Sequence, residues 1–306
     1  MKLLLQPATR AVCLAAQPRK SLPSRLPAQR PTGKRPAATS GDLDQALATM
    51  RQLAQSGYPL TLGCVQALGD QADSAQSAVL QALAAMASLG VATTLACDAS
   101  VPLRSPGGLS RLLEQARSHG VAVLFDQLCS RGDPASMETL LQGLDAMGAA
   151  AHQRPTLTLV GRWLRSRADA DWACERGLPL RIIKGHQADP HRPLHDAQAG
   201  LLSLLQRVAG RASFVTLATN DPVIAHEGLR RLRRAGTACE LELLRGLPGT
   251  AAEQVARRHG VPVRMYVPWG EVRLPSTLSV CTRDPRETGW VSQPVAQRAG
   301  LHLVPA

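Results

Sequence analysis

The chain has 306 residues, 44% of them hydrophobic and 19% charged, a composition that excludes a wholly disordered protein. Its formal charge of +12 is unevenly placed: residues 1–41 hold eight basic residues and no acid, so 35 − 8 = 27 basic face 23 acidic residues in the rest, or +4. No basic stripe interleaved with stacking aromatics is present, and aromatics reach only 3%, which sets a nucleic-acid partner aside.

The seven cysteines (Cys13, Cys64, Cys97, Cys129, Cys174, Cys239 and Cys281) are odd in number, dispersed and without CxxC spacing. Neither a disulfide framework nor a thiolate zinc site is expected, and a reducing cytoplasm fits. Cys64, Cys97 and Cys239 sit in apolar runs and read as small core residues. No apolar run approaches the length of a membrane-spanning helix.

In chain order, residues 1–41 read as a disordered basic tail interrupted by Pro23, Pro27, Pro31 and Pro36, with a targeting peptide as the competing reading. One barrel domain is expected over 42–306. It opens with an extra N-terminal helix, DLDQALATMRQLAQSG (42–57). From Leu60 a β-rich run, a polar turn and an amphipathic stretch recur. The runs are LTLGCVQ (60–66), VATTLAC (91–97), VAVLFDQ (121–127), TLTLVGRW (156–163), LRIIKG (180–185), SFVTLATN (213–220), CELELL (239–244) and VRMYVPW (263–269). Their starts lie 24 to 35 residues apart, the length of one βα unit.

The stretches 74–90, 108–120, 223–236 and 250–260 carry helical periodicity and each ends in Gly. Continuously apolar runs suit parallel strands buried on both faces. Eight units in this length, with ALGDQADS rather than a Gly-rich fingerprint after the first run, predict a closed (β/α)8 TIM-type barrel over an open α/β sheet. Functional residues are then expected at the carboxyl ends of the strands.

Arg181 lies inside an apolar run, where an unpaired guanidinium is costly to bury, so either function or an ion pair with Asp126 or Glu242 must account for it. Lys184 is balanced between ligand contact and a solvated strand end. Asp126 ends its run, which in this fold leans toward function, with an N-cap role in the following turn as the competing account. His186, His191 and His195 invite a metal, yet Pro190 and Pro193 make that stretch a loop, and no metal site is expected.

The last four runs carry a family resemblance. LRIIKGHQAD resembles the R-L-V-K-G-A-Y strand of proline dehydrogenases, FVTLATND their F-A-T-H-N, CELELLRGL their E-F-Q-x-L-x-G-M, and VRMYVPWGEVRLPS their V-R-V-Y-V-P-Y-G-x-x-W-L-P-Y. GYPLTLGCVQ and VAVLFDQ resemble the first and third strands, so the likeness runs in order from about residue 51 to 275 and points to the monofunctional bacterial type. It implies FAD at the mouth of the barrel and hydride transfer from the ring carbon of proline, or a related cyclic amine, to flavin N5. The imine product would be pyrroline-5-carboxylate for proline, with electrons passing to a membrane quinone.

By that resemblance Arg181 lies near flavin N5, and Lys184, Gly185, Arg192, Thr219, Asn220 and Glu242 fall on cofactor positions. Arg181, Asp126 and Tyr266 fall on the catalytic ones. A cytoplasmic protein, peripheral to the inner membrane, follows. The substrate half departs from the pattern. The arginine pair that grips the proline carboxylate reads Ser279 and Val280, its tyrosine Ser276, the second-strand lysine Thr94, and the fifth-strand Ala-Tyr His186-Gln187. The His of A-T-H-N reads Asn220, the Gln of E-F-Q reads Glu242, and the fourth-strand glutamine falls near Val160. A catalytically degenerate barrel with a binding or assembly role is therefore the alternative.

Overall fold

A computed structural model of the chain describes residues 43–65, 72–103, 105–126, 134–147, 154–185 and 196–270. The expected tail over 1–41, Arg192, the three loop histidines and Ser276, Ser279 and Val280 lie outside them.

Eight strands, β1 (Leu60–Val65), β2 (Thr93–Asp98), β3 (Ala122–Asp126), β4 (Thr156–Val160), β5 (Leu180–Ile183), β6 (Val215–Ala218), β7 (Cys239–Leu244) and β8 (Val263–Gly270), pair in parallel and close on themselves, β8 against β1. Between them run α2 (Ala72–Met86), α3 (Gly108–Ser118), α4 (Pro134–Met147), α5 (Ser166–Glu175), α6 (Ala197–Val208), α7 (Pro222–Arg234) and α8 (Thr250–Arg258). This is the expected (β/α)8 barrel. The additional helix α1 (Leu43–Gln55) buries Ala46, Leu47 and Met50 and packs against β8 and β1.

Local chemistry sets the element ends. Asp196 and Asp221 accept hydrogen bonds from backbone N–H groups of the first turns of α6 and α7, as N-caps do. One expected boundary is corrected. The fourth run was read to Trp163, but β4 ends at Val160 because the chain turns there, Trp163 N donating to Val160 O at 3.0 Å. Gly161 then lies so close to α6 that a Cβ would fall 2.6 Å from Leu201 Cα.

Where the core sits corrects a second expectation. Outward-facing residues such as Leu62, Leu95, Phe125, Leu159, Ile182, Leu217 and Leu241 pack under the helices in the main apolar core. The inward-facing residues are not apolar throughout. Thr61, Thr158, Thr216, Asp126, Arg181, Glu240 and Glu242 are buried, and these strands alternate between an apolar outer face and a polar inner one. A small separate apolar group, Ala96, Leu124 and Tyr266 with Leu244 against it, occupies the interior beside them.

A buried ionic floor inside the barrel

Within the barrel, two charged layers lie along the axis. The deeper one joins Arg264 of β8 to Glu240 of β7 at 2.6 Å, with Thr216 Oγ1 donating to the same carboxylate at 2.8 Å. Arg264 also donates to Leu60 O at 3.0 Å and Thr94 Oγ1 at 3.2 Å. One cation meets one anion here, and Nη1 of the same guanidinium finds neutral acceptors.

The upper layer is centred on Arg181. Its position in β5 turns it inward beside Thr158 of β4 and Thr216 of β6. Arg181 Nε donates to Glu242 Oε2 at 2.5 Å and Nη1 to Asp126 Oδ1 at 3.0 Å. The Tyr266 ring lies against the guanidinium, 4.8 Å from its carbon to the ring centroid, within cation–π range. Thr61 Oγ1 donates to the other Glu242 oxygen at 2.8 Å and Thr158 Oγ1 to Asp126 Oδ1 at 2.5 Å. The Tyr266 hydroxyl reaches Asp126 Oδ2 at a long 3.4 Å. Tyr266 has room to lie there because residue 63 is Gly: a Cβ at that position would fall 2.0 Å from the Tyr266 hydroxyl.

The electrostatics follow from burial and pairing. Side-chain exposure is 8% for Arg181, 6% for Asp126 and 1% for Glu242. Burial pushes the Asp126 carboxyl up from its ordinary value, against the pull of Arg181 and the hydrogen bond from Thr158. Burial opposes the charge on Arg181, but Glu242 and Asp126 outweigh it and hold the guanidinium protonated. Burial pushes the Tyr266 phenol well above its usual range, so it stands as a neutral donor. With both acids ionised the layer carries +1 − 1 − 1 = −1. It can therefore hold a proton, and Asp126 is the group whose environment favours one.

The structure thus brings together Arg181, Asp126, Glu242 and Tyr266 from four strands. Lys184 and Gly185 follow β5 directly. Gly185 has φ +84°, and a Cβ there would meet Val160 Cγ1 at 2.2 Å, so this left-handed, tightly packed turn requires Gly. Thr219 and Asn220 follow β6, but their side chains serve the backbone. Thr219 Oγ1 accepts from Asp221 N at 3.1 Å. Asn220 accepts from Leu244 N at 3.0 Å and donates to Leu244 O and Pro248 O, each at 3.3 Å, fastening the end of β7. Thr61 and Thr158 were missed from sequence, although each is the polar residue at an inward position of its run.

Among the described residues no group of three or more His, Cys, Asp or Glu is placed to hold a metal, and no helix is long and apolar enough to cross a membrane. Cys97 and Cys239 are buried and Cys64 partly so, all against the main core, as packing residues would be.

Fold and site define a closed (β/α)8 barrel with a buried, carboxylate-rich ionic floor inside it. No protein-family model matches the sequence, and no curated protein sequence matches it. The barrel is nonetheless similar to solved structures of proline utilization A (PutA). That from Bdellovibrio bacteriovorus, inactivated by N-propargylglycine, is 13% identical over 85% of this chain and 33% of that one, with a TM-score of 0.62. A Bradyrhizobium japonicum PutA variant is 15% identical over 84% and 30%, with a TM-score of 0.58. PutA from Corynebacterium freiburgense is 17% identical over 86% and 32%, with a TM-score of 0.56. The chain spans about a third of the length of these proteins. At such identities the likeness shows a shared fold, that of the PutA barrel, and does not assign the chain to a monofunctional type.

Proposed function

We propose that the chain is an FAD-dependent oxidoreductase of the proline dehydrogenase type whose substrate pocket departs from that for proline. The observation that carries this reading is Arg181. It is turned into the barrel from within β5, braced by Asp126 and Glu242 and backed by Tyr266, at the position that resembles the family's arginine near flavin N5. The PutA fold supports it, and one of the similar PutA structures has proline bound in remote sites.

The residues present fit such a group. These two carboxylates take only two of the five guanidinium N–H donors of Arg181. Gly185 and Val160 pack the ends of β5 and β4 together without an intervening side chain. Arg181, Lys184 and Gly185 would hold the ring, with Thr219 and Arg192 assigned by sequence resemblance. When bound, FAD supplies the hydride acceptor for oxidation of an amine to an imine. The chain's own part is to fix a buried positive charge at Arg181, to hold a neutral phenol at Tyr266, and to keep a proton-accepting carboxyl at Asp126. The substrate is proline or a similar amine, and a membrane quinone is the electron acceptor in this reading.

A second reading, a catalytically degenerate barrel kept for binding or assembly, is favoured by one observation. Each carboxylate oxygen of Asp126 and Glu242 already accepts a hydrogen bond from within the barrel. Titration of the purified protein with FAD separates the two. Saturable uptake, with flavin absorbance bleached anaerobically by L-proline or pyrrolidine, is expected for the oxidoreductase; protein that takes up no FAD is the degenerate barrel. Arg181→Met should weaken flavin retention or slow its reduction, whereas His191→Ala should leave both unchanged.

A further inference from the structure

On the outer wall of the barrel, α7 and α8 pack side by side and each contributes one histidine. His226 lies on the second turn of α7 and is exposed; His259 is the C-cap of α8 and is half-buried. His259 Nε2 and His226 Nδ1 stand 3.1 Å apart, with ring centroids 5.1 Å apart and the rings tilted by 47°. In the neutral pair one ring nitrogen donates to the other.

The same spacing is the bite of a chelate. Two metal–nitrogen bonds of about 2.05 Å that end 3.1 Å apart enclose an angle of roughly 100°, between the octahedral and tetrahedral values. Moving the shared hydrogen to the distal nitrogen of its own ring leaves a lone pair on each of the two facing nitrogens, with no proton gained or lost, and a small rotation of the rings aims both at one ion. The carbonyl end of α8, where His259 sits, also favours a cation. Of the nearby charges, Glu227 is taken up by Arg230 and Arg231.

We propose that His226 and His259 form a two-histidine chelate for a borderline divalent transition-metal ion such as Zn2+ or Ni2+, clamping α7 to α8, with water completing the coordination sphere. Imidazole pairs select such ions over Mg2+ and Ca2+, which prefer oxygen. This site is separate from the barrel floor and does not depend on the flavin reading.

Calorimetric titration of the full, chelator-stripped chain with ZnCl2 and with NiCl2 tests it, alongside thermal unfolding in the same salts. One site is expected whose affinity falls by at least about tenfold in His226→Ala/His259→Ala. The melting temperature should rise by roughly 5–10 °C at metal a hundredfold above Kd, and not in that variant. His259→Gln, which keeps a hydrogen-bonding group but supplies no imidazole, should lose the site equally and guards against a folding defect. His186→Ala/His191→Ala/His195→Ala should retain it. Metal uptake by the parent chain that persists in the double variant, disappears with the three loop histidines, or is absent altogether overturns the proposal.

Discussion

Replacing Arg181 by Met keeps the length and apolar stem of the side chain and removes the cation that lies between Asp126 and Glu242. Both acids are nearly inaccessible, with side chains 6% and 1% exposed, so neither can recover its solvation without opening the barrel. Removing one partner of a buried ion pair costs about 3–5 kcal/mol, and here two carboxylates lose the same partner. At roughly 2–4 °C per kcal/mol for a domain of this size, the melting temperature should fall by about 10 °C or more at neutral pH.

The pH dependence fixes the mechanism. Without Arg181 the buried acids are driven to take up protons, so the folded state binds more protons than the unfolded chain in the range above the ordinary carboxylate pKa. Stability of the variant then falls as pH rises through that range, and its deficit against the parent grows from pH 5 to pH 8. In the parent, the upward shift of Asp126 has the same sign but is opposed by Arg181. Thermal and urea unfolding followed by circular dichroism at both pH values would measure it. A variant within 2 °C of the parent throughout, or one worse at pH 5 than at pH 8, would refute the buried-charge account.

Other consequences are simpler. Gly63→Ala places a methyl 2.0 Å from the Tyr266 hydroxyl, so the ring must shift and the protein should lose about 1–3 kcal/mol in urea denaturation. An unchanged midpoint would mean that Tyr266 does not cross to β1. Asn220→Ala removes the amide that bonds Leu244 N, Leu244 O and Pro248 O, and should cost about 1–3 kcal/mol. Hydrogen exchange at the Leu244 amide should quicken selectively, and uniform protection would count against the clamp.

The architecture was legible because a parallel barrel writes itself into spacing. CELELL was read to the residue, and glycines closing the helical stretches, such as Gly120 and Gly260, do adopt left-handed backbone in the turns after α3 and α8. The floor was legible in part. Arg181 stands out because an apolar run leaves it no local partner, and both Asp126 and Glu242 were foreseeable as its counterions. Thr61 and Thr158 were not, since a threonine in a β-run suits the strand whichever way it points. The role of Asn220 was hidden for a different reason. Its partners are backbone groups 24 and 28 residues away, and backbone hydrogen bonding leaves no mark on side-chain identity. Arg264 was hidden in the same way, because its reach to Glu240 and Thr94 depends on strand register.

The composition of the floor bears on which functional reading is stronger. Buried ion pairs stabilise little compared with well-packed apolar residues of the same size, because desolvation offsets most of their attraction. A barrel selected for assembly alone would gain by filling its interior with Leu, Ile and Val, as the outer faces of these same strands are filled. This interior keeps five buried or largely buried charges in two layers, and the upper layer holds two acids against one base. Such an excess is costly to a scaffold but useful where a positive group must be held rigidly while a proton is accepted beside it. Glu242→Gln, which restores one acid to one base while keeping an acceptor for Thr61, separates the two cases. A scaffold should be stabilised or unchanged by it. In the oxidoreductase the same change leaves Arg181 less neutralised and should raise the midpoint potential of bound FAD, measured by anaerobic dye titration, and a potential that does not move would remove Glu242 from the site.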